Sequence, residues 1–256
     1  MAQNSTIAPA DLRSSDLSLD VDRIIQTVGA LQHRIEERFS GSGLGKLAGR
    51  LHGIANITVA RLEWVARPIL PLRLGVGLIT LGVVALPAVL FVAADLLVTP
   101  PDVWEFIQAV DAGVQDLIFV GLLIFFLYTL ETRIKRGRAL HFLRELRAMA
   151  HIIDLHQLTK DPDRVIGPGR DTPSSPERDI EQFKLGRYLD YCSEMLSLTS
   201  KVAALYAQSF DDPVVLAAVD EIERLTAGLS AKLWQKIFIL DKAISVAGRQ
   251  PSVRAN

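Results

Sequence analysis

Apolar residues recur along this chain at spacings of three and four, and twice they run together without a break. The segment LDVDRIIQTVGALQHRIEERF places Val21, Ile24, Val28, Leu31 and Ile35 on one face of a helix that stops at SGSG. The next segment, LGKLAGRLHGIANITVARLEWVARP, is amphipathic and basic, with a stripe of Leu47, Leu51, Ile54, Thr58, Leu62 and Val65. Two placements suit that stripe equally: along a membrane surface, or packed on other helices. In ALHFLRELRAMAHIIDLHQL the residues Leu140, Leu143, Leu146, Ala150 and Ile153 share a face. No stretch alternates with a period of two between hairpin turns, so the expected fold class is all-α.

Two long helices close the pattern. The first, near Ile180 to Ser209, has an apolar face of Leu185, Leu189, Cys192, Leu196, Val202 and Tyr206. A second stripe of small residues, Ser193, Ser197, Ser200 and Ala204, predicts a packing seam where another helix backbone comes close. The turn SFDDP offers Asp212 as a cap and Pro213 as a first helical residue. Beyond it Val215, Val219, Ile222, Thr226, Leu229, Leu233, Ile237, Leu240 and Ile244 form nearly a coiled-coil seam. The two helices are expected to pair as a long antiparallel hairpin, completed by other helices or by another subunit.

The uninterrupted runs are of a different kind. LGVGLITLGVVALPAVLFVAA, between Arg73 and Asp95, holds twenty-one residues without a charge, enough to cross a hydrocarbon core that needs roughly 20. Pro87 lies within it, where a kink is expected. Gly75, Gly77 and Gly82 offer places for a second helix to approach. The other run, LIFVGLLIFFLYTL, has only fourteen uncharged residues before Glu131 and the cations Arg133, Lys135, Arg136 and Arg138. Helical spacing of Val103, Phe106, Ile107, Val110 and Val114 extends it backwards towards Pro101, with Asp102 near the cap. Spans over about 74–95 and 112–131 follow, forming a transmembrane helical hairpin.

Charge sets its direction. Residues 95–116 carry Asp95, Asp102, Glu105, Asp111 and Asp116 and no Lys or Arg, whereas Arg61, Arg67 and Arg73 precede the first span and the basic cluster follows the second. By the positive-inside rule both termini are cytoplasmic, which suits a multi-pass protein of the bacterial inner membrane. Trp64, Trp104 and Tyr128 fall near the boundaries, where amphipathic rings are favoured. The basic residues Arg133, Lys135, Arg136 and Arg138 are the expected contacts to anionic lipid headgroups. The domain plan is a disordered tail over 1–19, cytoplasmic and membrane-surface helices over 20–67, and the membrane hairpin over 68–132. A cytoplasmic helical bundle then covers 133–248, with a mobile loop at 160–178, and a short tail covers 249–256.

Composition narrows the chemistry. A hydrophobic content of 49% suits a mixed membrane and soluble chain, and a net charge of −1 gives no global attraction to nucleic acid. The lone cysteine, Cys192, leaves no intrachain disulfide or multi-cysteine metal site. The first apolar run begins past residue 70, unlike a cleavable secretory signal. The most enzyme-like stretch is AHIIDLHQLTKDP: His151 and Asp154 can touch on one helix face, but His156 lies about 140° round from His151. LGRYLDYCSEM gathers Arg187, Tyr188, Asp190, Tyr191 and Cys192, with the thiol on the apolar stripe where it acts as a small hydrophobe. GSGLGK lacks the spacing of a phosphate-binding loop, and TPSSPE is a weak phosphorylation motif.

No catalytic residues, metal site or cofactor are expected from these motifs. The leading expectation is a non-enzymatic, oligomeric membrane protein that anchors a cytoplasmic helical interaction or signalling module. Its partners would be membrane lipids and either further copies or another membrane or cytoplasmic protein, with no nucleic acid. Two alternatives stand beside it: a channel or transporter component that turns Thr80, Gln115 or Asp116 inward, and a membrane-bound hydrolase using His151 and Asp154.

Overall fold

The computed structural model describes residues 18–95, 103–160, 162 and 181–247, and every regular element among them is an α-helix. In chain order they are α1 (Val21–Arg38), α2 (Gly43–Ala66), α3 (Leu70–Asp95), α4 (Val103–Leu158), α5 (Gln182–Ser209) and α6 (Pro213–Ala247). The chain divides into two units, one of residues 66–138 and one of residues 1–65 with 139–256. Residues 1–17 of the expected tail over 1–19, residues 96–102 between the two apolar runs, most of the expected loop at 160–178 and the expected C-terminal tail lie outside the described residues. So does the proposed Asp102 cap.

Helix ends follow local chemistry. Asp20 caps α1 by accepting from the Arg23 N–H at 3.1 Å. The turn that follows needs Gly41, whose φ of +68° is open to glycine at little cost. The Glu36 carboxylate accepts from the Gly41 N–H at 3.0 Å, and the Ser42 hydroxyl accepts from the Gly45 N–H at 3.1 Å to start α2. GSGLGK is therefore a tight connection between two helices. At α6 the sequence signal holds in full: Asp212 accepts from the N–H groups of Val214 at 3.0 Å and Val215 at 3.2 Å, and Pro213 opens the helix.

The larger unit is built round one core from α1, α2, the distal part of α4, α5 and α6. Ile24, Val28, Leu31 and Ile35 of α1 are buried in it, as are Leu143, Leu146, Ala150 and Ile153 of α4. The whole α2 stripe, Leu47, Leu51, Ile54, Thr58, Leu62 and Val65, is buried too. That stripe packs on protein, because the neighbouring helices offer apolar faces at matching spacing, so it is not the face a membrane surface would take. α5 and α6 pack on one another most extensively. Leu240 lies 3.6 Å from where a Gly186 side chain would begin, so the start of α5 meets the end of α6 and the two run antiparallel. The α6 seam is buried from Val215 to Leu240, with Ile237 half-buried, and ends with Ile244 exposed.

The smaller unit differs in kind. α3 runs for 26 residues, past Pro87, and is about 39 Å long. α4 runs for 56 residues, beginning near the point expected for the second helix and continuing unbroken past the expected span at 112–131. Two helices are thus long and apolar enough to cross a membrane. Their apolar side chains are not core: Leu74, Leu78, Leu81, Leu117, Ile118 and Phe125 are each more than 60% exposed.

Candidate functional site

The end of the apolar surface is marked by a polar knot. Arg73, near the start of α3, donates from Nε and an Nη to both oxygens of Glu131 on α4, at 2.8 and 3.1 Å. Lys135, one turn further along α4, bridges Glu131 at 2.9 Å and donates to the Ala66 carbonyl at 3.1 Å. A bidentate guanidinium–carboxylate pair fixes orientation as well as distance, so the residues flanking the two apolar runs are held together. Of the expected headgroup contacts, Lys135 is committed to this knot, and the Arg133 guanidinium lies 5.9 Å from the Phe126 ring centre. Arg136 and Arg138 are partly buried. Glu131 and Arg73 were legible as single charges; that they pair across two helices was not.

Within the apolar runs of α3 and α4, polar groups are few. Thr80 spends its hydroxyl on the Val76 carbonyl of its own helix at 2.8 Å. Gln115 and Asp116 are exposed. A side chain added at Gly75, Gly77 or Gly82 would meet no atom within 4 Å, so among the described residues no helix uses the close approach that these glycines permit.

A second polar site lies in the larger unit, where the two motifs with the most chemistry come together. At the C-terminal end of α4, Gln157 is buried, and its amide donates to Asp154 at 2.7 Å. The Lys236 ammonium of α6 reaches Gln157 Oε1 at 2.7 Å and the carbonyls of Gln157 at 3.2 Å and Lys160 at 3.4 Å. The last carbonyls of a helix have no partner within it, and Lys236 supplies a charged one. From α5 the Tyr188 hydroxyl donates to the His156 carbonyl at 3.4 Å, and Lys160 lies 5.9 Å from the Tyr188 ring centre. His156 also packs against the start of α2, where a side chain at Gly43 would strike its imidazole.

His151 is exposed, and Asp154 is engaged with Gln157. No group of three or more His, Cys, Asp or Glu among the described residues could hold a metal ion. Cys192 is fully buried, and desolvation pushes its thiol up to about 12 against a smaller opposing pull from Lys236. A thiolate is the reactive form, so at neutral pH this cysteine is a buried hydrophobe. Burial also raises the Tyr188 phenol. Lys236 was missed by pattern reading, although a signal existed. It sits three residues after Leu233 and four before Leu240, which places a cation beside the apolar seam.

The small-residue seam is arranged differently from expectation. Ser193, Ser200 and Ala204 are half-buried, while Ser197 is exposed, its hydroxyl accepting from Lys201 at 2.8 Å. The tightly buried face of α5 is the adjacent one, with Met195, Thr199, Val202, Ala203 and Tyr206. The cause is angular: the apolar positions of α5 after Phe183 are drawn towards the core, and the serines fall at its rim. Tyr206 is buried with its hydroxyl near Thr58 and Arg61 but in hydrogen-bond geometry with neither. Arg61 instead pairs with Glu145 at 2.6 Å and lies 4.4 Å from the Phe142 ring centre. Comparison with family models, curated proteins and solved structures finds no match to this chain.

Proposed function

We propose that this protein is a non-enzymatic integral membrane protein, in which an α3–α4 hairpin anchors a cytoplasmic helical bundle that serves interaction or signalling. One observation carries the reading. The apolar surface of α3 and α4 is not covered by protein, with Leu78 and Leu117 about 70% exposed. Water would penalise that surface at roughly 25 cal/mol per Å²; lipid would not. The basic residues flanking both runs and the acidic residues 95–116 support cytoplasmic termini, with the short turn between the spans on the other side. The Arg73–Glu131–Lys135 knot then sits at the cytoplasmic boundary, where charged groups reach headgroups and water.

The test is topological. In a Cys192→Ala background, Pro101→Cys is expected to react with an impermeant maleimide in intact cells, and Ser174→Cys only after the membrane is opened. Carbonate at high pH is expected to leave the protein in the pellet. Release of the protein into the soluble fraction, or labelling of Ser174→Cys in intact cells, would overturn the reading.

A further inference from the structure

A cavity of about 440 Å³ opens between α1 and α5, lined by Arg34, Glu37 and Arg38 from the first and Arg187 and Tyr191 from the second. The pairing is regular. Arg34 and Arg38 are one turn apart on α1, and Arg187 and Tyr191 are one turn apart on α5, so three guanidiniums converge from two helices. Rings steady two of them: Arg34 lies 6.0 Å from the Tyr191 centre and Arg38 lies 5.7 Å from that of Phe183.

Two of the three are paired by acids nearby. Glu194 holds the outer edge of Arg34 at 2.6 Å, and Asp190 takes one Nη of Arg187 at 3.2 Å. Arg38 has no carboxylate partner among the described residues, and Glu37 is the one acid in the cavity lining. Each guanidinium has five N–H donors, of which two of Arg34 and one of Arg187 are engaged by these carboxylates. The cavity lining carries three positive groups and one negative, and Glu194 and Asp190 pair with Arg34 and Arg187 beside it.

We propose that this cavity binds a phosphate-bearing anion, with Arg38 and Arg187 as the principal phosphate contacts and Arg34 as their support. Planar guanidinium forks match phosphate oxygens in pairs, and a carboxylate ligand would leave more of these donors unused. The volume exceeds that of one phosphate group and accommodates the small organic part of a phosphate ester. This site is separate from the membrane-anchor reading above and does not depend on it. A soluble phosphate ester and a phospholipid headgroup share the recognised chemistry.

The experiment uses the full chain in detergent at low salt, with inorganic pyrophosphate as probe and isothermal titration as readout. Saturable one-to-one binding is expected. Loss of a charge-assisted contact weakens it about tenfold or more in Arg38→Gln and Arg187→Gln, while Arg50→Gln, an exposed arginine of α2 outside the cavity, binds as the wild type does. Far-UV circular dichroism of each variant confirms that it is folded; a Phe183→Leu variant, which removes only the ring beneath Arg38, is expected to weaken binding less than Arg38→Gln does. Repeating the titration in nanodiscs separates the sources. Pyrophosphate binding suppressed by phosphatidylglycerol but not by phosphatidylcholine assigns the site to a lipid headgroup, and equal binding in both assigns it to a soluble ester. No saturable binding at millimolar pyrophosphate, or an equal loss in Arg50→Gln and Arg38→Gln, would overturn the proposal.

Discussion

Replacing Lys236 by methionine keeps the aliphatic stem in place and removes only the ammonium. Three acceptors lose their donor: Gln157 Oε1 at 2.7 Å and the carbonyls of Gln157 and Lys160 at 3.2 and 3.4 Å. The short contact dominates, since the two longer ones lie at or beyond the end of the useful hydrogen-bond range. A hydrogen bond to a charged donor contributes about 1.5–3 kcal/mol. Lys236 is only half-buried, which moves its share to the lower end through solvent screening. Against that, Gln157 is 3% exposed, and its oxygen would stay buried without a donor, a cost of about 1–3 kcal/mol. The two are aspects of one loss, so we expect about 2 kcal/mol in all. With a urea dependence near 2 kcal/mol per molar, that lowers the midpoint by about 1 M.

The assay is urea unfolding of the full chain in detergent, followed by far-UV circular dichroism. A double-mutant cycle with Gln157→Leu separates the contact from general disturbance. The pair is expected to be coupled by about 1 kcal/mol or more, because either change alone already breaks the 2.7 Å bond. A midpoint unchanged in Lys236→Met, or strictly additive effects in the double variant, would refute the view that α6 holds the end of α4 through this ammonium.

Three other outcomes follow from the packing. Ser197→Leu is expected to change stability by less than about 0.5 kcal/mol, because the residue is exposed, whereas Ala203→Leu on the buried face costs about 1–3 kcal/mol by overpacking; equal effects in chemical unfolding would contradict the observed rotation of α5. Asp212→Ala is expected to cost about 1–2 kcal/mol, since it leaves two N–H groups of α6 uncapped, and an unchanged unfolding midpoint would refute that role. The third is a pH dependence: burial raises the Cys192 thiol from its ordinary value near 9 to about 12, so its contribution is fully present below pH 9 and is lost as pH rises towards 12. Unfolding free energy measured across that window is expected to fall less steeply in Cys192→Ala, and identical slopes would contradict the burial of the thiol.

Apolar periodicity made most of the larger unit legible. The residues assigned in advance to the faces of α1, distal α4, α5 and α6 are nearly all buried. The reason is that burial depends on angular position round a helix, and angular position is a local property of sequence. Partner identity is not local. The α2 stripe could be read as a stripe but not as facing protein instead of lipid, because both surroundings reward the same side chains. For α3 and α4 what was readable is that their runs are long and apolar enough to cross a membrane, a pattern that a helix in a small core rarely needs.

The polar contacts show the limit from the other direction. Glu131 draws on Arg73, 58 positions away, and Gln157 on Lys236, 79 positions away; no window of sequence contains either pair. What a window does contain is the anomaly each leaves behind. Glu131 is an acid at the end of an apolar run, and Lys236 is a cation beside an apolar seam. Such a charge must be paired, snorkelled or exposed, because burying it alone costs several kcal/mol. The same reasoning extends to Arg38. Its ring neighbour Phe183 belongs to α5, while its charge has no carboxylate partner among the described residues. Glu131 and Lys236 show how this chain completes a charge that local sequence leaves open: in each case the missing group comes from another helix. At Arg38 the facing helix brings a further arginine to the cavity lining instead, and no carboxylate among the described residues pairs with it, which is the opening the proposed anion would fill.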